Sequence, residues 1–183
     1  VSFDNKELKG KRKIEEYCRV RPPENEISSF LGFVDNYWIA FSENIDEIKN
    51  YLSIEVDEQP AMMYRNKSGG NLLFRPIGQR PFVLCALALF DKTRNMKTTM
   101  QTMNKINFEI DSDIWKFIVW NPINKKMITS SNGALIEYML KYFSGIELSD
   151  KEMLKMEEDF KGMKGDENLT NDDIFEILSR YKV

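Results

Sequence analysis

Residues 69–90 read GGNLLFRPIGQRPFVLCALALF, and this stretch decides how the fold is interpreted. A turn at 68–70 leads into the short apolar run 72–74. A compact polar element rich in glycine and proline follows at 75–80. Pro81 then opens an apolar helix, because proline fits the first helical turn. The pattern predicts a strand, a tight loop and a helix whose N-terminus faces that loop.

The predicted loop carries side chains that can hold an anion. The guanidinium groups of Arg75 and Arg80 match phosphate oxygens, and Gln79 and the amides around Gly78 add donors. The following helix adds the positive end of its dipole. These four residues are the candidate contacts to a phosphate or a nucleic-acid backbone, although the spacing of a Walker A loop is absent. The alternative is that the glycine and prolines shape a turn while the arginines pair with acids.

Length and composition set limits on the class of protein. A chain of 183 residues fits one domain, or one compact unit with a helical appendage. Its net charge of −3 argues against a strongly basic nucleic-acid footprint but is compatible with a local basic patch. No apolar run reaches the length of a membrane span, and no stretch resembles a signal peptide.

The chain contains no histidine and only two cysteines. The missing histidine excludes Ser-His-Asp and Cys-His catalysis within this chain, together with His-ligated metal sites. Two cysteines form no disulfide framework, which indicates reduced thiols and a cytoplasmic location. Cys85, in an apolar run, is expected to be a small buried hydrophobic residue. The start at Val1 rather than Met favours a fragment of a longer protein.

The fold class expected from these patterns is α/β (α+β), with a small mixed sheet around the strand-loop-helix core. Residues 1–130 are predicted to form this mixed core. The aromatic stretch 30–41 is interpreted as two short strands or as a helix end and a strand, and Ser42 as the cap of a helix over 43–52. WKFIVW at 115–120 and the following turn predict a hairpin.

Residues 131–183 are predicted to form a helical C-terminal cap. Three helices are expected there, over about 134–143, 149–160 and 170–181. The second opens with Ser149 followed by Glu152, which is a capping-box pattern. The last is capped by Thr170, with acidic residues in its first turn.

Two charged clusters outside the loop are weaker candidates. Lys11, Arg12 and Lys13 offer further phosphate contacts, or form the solvated face of a helix. Asp111 and Asp113 offer carboxylates for Mg²⁺, but the positions of the chain's acidic residues, mostly helix starts and linkers, are explained by helix dipoles and solvation. No metal and no cofactor is therefore expected.

Gly78, Gln79 and Arg80, within LLFRPIGQRPF, resemble the signature of DGQHR-domain proteins, a family that includes the DNA sulfur modification protein DndB. WKFIVWNPINKKM at 115–127 and the helical tail look like the C-terminal half of such proteins. The signature's Asp and His are missing, and Ile77 stands where the Asp would be. The resemblance implies a ParB/sulfiredoxin-like α/β fold and a role in DNA phosphorothioation or phage defence.

These observations lead to one main functional hypothesis and two others. The main one is a cytoplasmic bacterial module of a DNA-modification or defence system that binds DNA or a protein partner through Arg75, Gly78, Gln79 and Arg80. The second is an enzyme that uses a nucleotide or phosphate at the same loop, with Asp111 or Asp113 holding Mg²⁺. The third is a structural interaction domain without a ligand. The oligomeric state cannot be derived from the sequence.

Overall fold

The structure is a computed structural model of the chain. It describes Glu15, Arg19 and residues 23–55, 61–67, 69–128, 133–166 and 168–183. The basic cluster Lys11, Arg12 and Lys13 lies outside these residues. The chain divides into two compact units, Val1–Ala40 and Phe41–Val183. The candidate site lies in the second unit.

The described residues form eight α-helices, one turn of 3-10 helix and two very short strands. The helices are α1 Glu24–Asn44, α2 Asp46–Ser53, α3 Ala61–Tyr64, α4 Pro76–Thr93, α5 Met96–Met103, α6 Gly133–Phe143, α7 Asp150–Lys164 and α8 Asn171–Ser179. The 3-10 turn spans Leu72–Phe74, and the strands are β1 Trp120–Asn121 and β2 Lys126–Met127. No helix among the described residues combines the length and the apolar content needed to cross a membrane.

The predicted α/β class is wrong, because the fold is mainly α-helical. Within the described residues the only sheet is the antiparallel ribbon of β1 and β2, in which Trp120 lies opposite Met127. The ribbon lies at the position of the predicted hairpin, but only Trp120 of the predicted strand 115–120 belongs to it, and each strand has only two residues. A ribbon of that size cannot form the mixed sheet that was expected at the core.

The predicted strand at 72–74 is instead the 3-10 turn. The side-chain oxygen of Asn71 accepts a hydrogen bond from the Leu73 amide at 2.9 Å, which caps the turn. The Arg75 amide then donates to the Leu72 carbonyl at 3.1 Å. An asparagine side chain that accepts a hydrogen bond from a nearby backbone amide competes with strand pairing. At this position the local turn forms instead of a strand.

The strands expected within 30–41 are also absent, since those residues lie inside the single helix α1. Apolar residues at helical spacing, such as Phe30 and Val34, outweigh the Asp-Asn pair that suggested a break. Ser42 is not a cap, because α1 continues to Asn44. The helical conformation is interrupted at Ile45, whose backbone is extended, and α2 begins at Asp46.

Helix α4 begins at Pro76 rather than at Pro81, so the predicted loop at 75–80 is in fact the start of a helix. Pro76 suits the first helical position, where its missing N–H has no intrahelical role. The Arg75 carbonyl accepts from the amides of Gly78 and Gln79, at 2.9 and 3.3 Å. Pro81 lies inside the helix and is buried, and the helix ends at Arg94 in the left-handed conformation.

Gly78 allows α4 to approach the 3-10 turn closely. A Cβ atom at this position would lie 2.3 Å from the carbonyl oxygen of Leu72 and 2.6 Å from Cγ of the Leu72 side chain. Real Cβ atoms essentially never make such short contacts, so only glycine fits here. The glycine that suggested a loop therefore serves helix packing.

Helix α4 is central to the second unit, because it packs against the 3-10 turn, α5 and α6. Cys85 on α4 is buried, as predicted, and its Sγ lies 3.4 Å from Oγ of Ser144, just beyond α6. Burial raises the pKa of the Cys85 thiol to about 11. The ring of buried Trp115 meets the ring of Phe143 edge-on, at a centroid distance of 6.2 Å.

The three C-terminal helices confirm the prediction for this region. Ser149 and Glu152 form the predicted capping box on α7, and Thr170 forms one with Asp173 on α8. Lys164, at the end of α7, donates from Nζ to the carbonyls of Asp113 and Lys116 at 2.8 and 2.9 Å. Burial lowers the pKa of this lysine to about 8.

The close approach at Gly78 gives the first prediction. We expect Gly78→Ala to lower the free energy of unfolding by about 1–3 kcal/mol, because the added methyl group overpacks the contact with Leu72. Urea denaturation followed by circular dichroism measures the change. Gly162→Ala is the matched control: it lies in α7 with no heavy atom within 4 Å of an added Cβ. That variant should be more stable by about 0.5–1 kcal/mol, and equal effects at both sites would contradict the packing argument.

Candidate anion-binding cleft

A cleft of about 480 Å³ opens where α4 and α6 begin. Its lining consists of residues from the first three turns of α4 and the first two turns of α6: Pro76, Ile77, Arg80, Pro81, Leu84, Gly133, Ala134 and Glu137. We call it the anion cleft. Its volume is within the range of small-molecule sites in proteins.

The two helices that form the anion cleft run parallel. Their first residues, Pro76 and Gly133, line the same cleft. At the other end, Lys92 in the last turn of α4 donates to the carbonyl of Gly145, just beyond α6, at 3.4 Å. Each helix carries a partial positive charge at its N-terminus. Parallel packing therefore places two positive helix ends at one cleft, where they attract a negative charge.

Arg80 adds a full positive charge to this cleft. Its side chain is exposed, and it makes no ion pair with any described residue. Glu137 is the carboxylate of the lining, and its Oε1 lies 2.7 Å from Nζ of Lys141. Burial of Lys141 opposes its charge, but hydrogen bonds with Glu137 and Glu152 raise its pKa overall. Because Glu152 shares Lys141, this lysine offsets the negative charge of Glu137 only in part.

Arg75 lies against a different part of the chain. Its Nη2 donates to the carbonyl of Gly69 at 2.6 Å and, more weakly, to that of Asn66 at 3.5 Å. Arg75 is not part of the lining of the anion cleft. The structure therefore does not bring Arg75 and Arg80 into one cleft, and the two arginines have different environments.

The other two predicted contacts also differ from expectation. Gly78 is buried, and its amide is already bonded to the Arg75 carbonyl. Gln79 donates its own amide to the same carbonyl, and its side chain is exposed outside the lining of the cleft. Neither backbone amide is free for a ligand. Of the four predicted contacts, only Arg80 lies at the anion cleft.

The carboxylates considered for Mg²⁺ lie elsewhere. Asp113 is bonded to Nζ of Lys116 at 2.8 Å, and this hydrogen bond lowers the pKa of Asp113. Asp111 lines a separate pocket of about 220 Å³ together with Glu109. The pKa of Glu109 is raised by burial and by the nearby charge of Asp111. In the part of the chain that the structure describes, no three metal-binding side chains are grouped.

Sequence reasoning missed the contribution of α6 to the cleft. The helix itself was predicted, but nothing in its sequence indicates that Gly133 and Ala134 lie beside Pro76 and Ile77. That proximity depends on the packing of α6 along α4, which is a long-range contact. The parallel arrangement has no local sequence signature.

Comparison with known proteins gives no relative for this chain. No protein-family model matches it, and no significant match was found among curated proteins or solved structures. The resemblance to DGQHR-domain proteins therefore stays a prediction that rests on Gly78, Gln79 and Arg80.

The contrasting environments of the two arginines give the second prediction. We expect Arg75→Ala to lower the free energy of unfolding by about 1–3 kcal/mol, because the carbonyls of Gly69 and Asn66 lose a charged donor. Arg80→Ala should change it by no more than about 0.5 kcal/mol, since Arg80 makes no described ion pair. Urea titration of both variants measures the difference. Equal losses would show that Arg80 is also needed for the fold.

Proposed function

We propose that this chain is a binding module that holds a phosphate-type anion in the anion cleft. The observation that supports this proposal is the meeting of two parallel helix N-termini with the guanidinium of Arg80, which makes no ion pair with a described residue. Each helix end favours an anion by about 0.3–1 kcal/mol at an exposed site. Two ends and one arginine at the same cleft add their fields, so a bound anion relieves the repulsion between them.

A phosphate group of a nucleic acid is the proposed occupant. The planar guanidinium of Arg80 can donate two parallel hydrogen bonds to phosphate oxygens. The apolar surface beside it, from Ile77 and Leu84, suits a sugar or a base next to the phosphate. With a net charge of −3, the attraction is local rather than spread over the whole protein.

The proposed setting is a DNA-modification or phage-defence system in the bacterial cytoplasm. This part of the proposal is supported by the resemblance of Gly78, Gln79 and Arg80 to the DGQHR signature. A protein partner of such a system would use the same cleft if it offered an acidic or phosphorylated side chain. The shared chemistry is an oxyanion that Arg80 and the two helix ends hold.

Substitution of Arg80 tests this proposal. We expect Arg80→Gln to weaken the binding of a labelled DNA oligonucleotide by about tenfold or more, since a hydrogen bond between charged groups contributes about 1.5–3 kcal/mol. Fluorescence anisotropy at low salt measures the affinity. The affinity of the unmodified protein should fall steeply as salt is added.

Arg180→Gln is the matched control, because it removes the same charge from an arginine that pairs with Glu176 at 2.6 Å on α8. This variant should bind the oligonucleotide like the unmodified protein. If both variants bind equally well, Arg80 is not a contact and the anion cleft is not the binding site.

The volume of the cleft also favours a second candidate, an enzyme that uses a small nucleotide or phosphate. Thermal shift with a panel of nucleotides, each with and without Mg²⁺, tests this candidate. A ligand at 100 times its Kd stabilises a protein by about 2.7 kcal/mol, which raises Tm by several degrees. For a binding module we expect shifts that do not depend on Mg²⁺, because Asp111 and Asp113 lie outside the cleft. A shift that requires Mg²⁺ would favour the enzyme.

A further inference from the structure

The described residues 65–67 and 69–71, between α3 and the 3-10 turn, carry basic side chains and are joined by hydrogen bonds. The two ends of this loop meet, because the Asn71 amide donates to the Tyr64 carbonyl at 2.9 Å. Gly70, with φ of +85°, makes this closure possible, since a Cβ there would lie 2.1 Å from the same carbonyl oxygen. The hydrogen bonds from Arg75 to Gly69 and Asn66 hold the guanidinium against this loop.

Three cationic side chains therefore lie along this short piece of chain. Arg65 and Lys67 flank Asn66, whose carbonyl Arg75 contacts, and both side chains are exposed. None of the three cations makes an ion pair with a described residue. We call Arg65, Lys67 and Arg75 the basic loop cluster.

The pKa of Arg75 reflects its burial and its positively charged neighbour. The pKa of Arg75 is lowered first by burial and then by the positive charge of Arg65. Within the part of the chain that the structure describes, no carboxylate counters this shift. Like charges at such close range are unfavourable unless an anion lies between them.

The hydrogen-bonding capacity of Arg75 is also incompletely used. Its Nη2 bonds the two carbonyls, and its Nε is buried without a partner in the described structure. Nη1 makes no hydrogen bond with the described residues. The guanidinium is held in place by Nη2, so an anion that binds Nη1 meets a donor whose position is already fixed. Less side-chain entropy is lost on binding as a result.

The position of the cluster relative to the anion cleft suggests a common ligand. Arg75 comes directly before Pro76, the first residue of α4 and part of the cleft lining. Arg80 follows five residues later, which is about 7.5 Å along a helix axis. Arg75 and Arg80 therefore flank the first turn of α4.

We propose that the basic loop cluster is a second phosphate-binding surface, and that the ligand is a polynucleotide strand crossing the start of α4 rather than a single nucleotide. This inference rests on the proposed function, because it takes Arg80 at the anion cleft as the first contact. It adds Arg65 and Lys67 as contacts to neighbouring phosphates.

Two carboxylates in a pocket beside the same loop limit the path that the proposed strand can take. Glu109 and Asp111 lie in the pocket that also includes Asn66 and Gly70. Phosphates are repelled from these carboxylates. The proposed strand is therefore expected to keep away from Glu109 and Asp111.

The test compares labelled oligothymidylates of 4 and 16 nucleotides, and a 16-base-pair duplex, by fluorescence anisotropy at several salt concentrations. The variant is the double substitution Arg65→Gln with Lys67→Gln, since Arg75 is needed for the loop. The matched control is Lys97→Gln with Lys151→Gln, which removes two exposed charges from α5 and α7.

We expect the loop variant to bind the 16-mer about tenfold more weakly and to reduce the slope of log K against log salt by about 1.4, which corresponds to two phosphate contacts on a single strand. The 4-mer should bind almost unchanged. Arg80→Gln should weaken both lengths, and the control should alter neither.

The remaining outcomes separate the two proposals. If the loop variant binds the 16-mer like the control while Arg80→Gln weakens it, the second surface is wrong and the anion cleft stands. If the loop variant weakens binding and Arg80→Gln does not, the anion cleft is not a binding site. The proposed path of the strand across the start of α4 is then wrong as well. If no oligonucleotide binds to the unmodified protein, single-stranded or duplex, both proposals are overturned.

Discussion

The contact between Gly78 and Leu72 is the constraint on which the second unit depends. It brings the start of α4 against the 3-10 turn at backbone distance, which no larger residue allows. That approach fixes where α4 begins, and the position of α4 determines where α5 and α6 pack. Arg75 and Arg80 stand on either side of Gly78 in the sequence, so the positions of both arginines depend on where α4 begins.

The electrostatics of the candidate site follow from the direction of the helices. In an antiparallel pair the partial charges at the helix ends compensate each other, whereas the parallel pair of α4 and α6 leaves two positive ends together. Glu137 offsets part of this positive charge, and Lys141, which Glu152 shares, reduces the effect of that carboxylate only in part. Arg80 then adds to the positive field. A site of this kind discriminates by the sign of charge more than by shape, which is the property that a phosphate-binding module needs.

Features that are encoded by neighbouring residues could be predicted from the sequence. The capping boxes at Ser149 and Thr170 and the burial of Cys85 belong to this class. The apolar run 72–74 was too short to distinguish a strand from a helical turn, and the Asn71 cap decided between them. Of the site, Arg80 was predicted, whereas the contribution of α6 was not, because it depends on contacts between segments far apart in the chain.

The parallel helix pair also determines where the fold opens first. Gly78 holds the first turn of α4 against Leu72, whereas a Cβ atom at Gly133, where α6 begins, would have no heavy atom within 4 Å. Local opening should therefore begin at Gly133, and the amide hydrogens of that turn should exchange with solvent before those near Phe143. An anion in the cleft would contact both this turn and the start of α4, and so hold the two together. Binding of an anion in the cleft and ordering of the first turn of α6 should therefore be thermodynamically coupled.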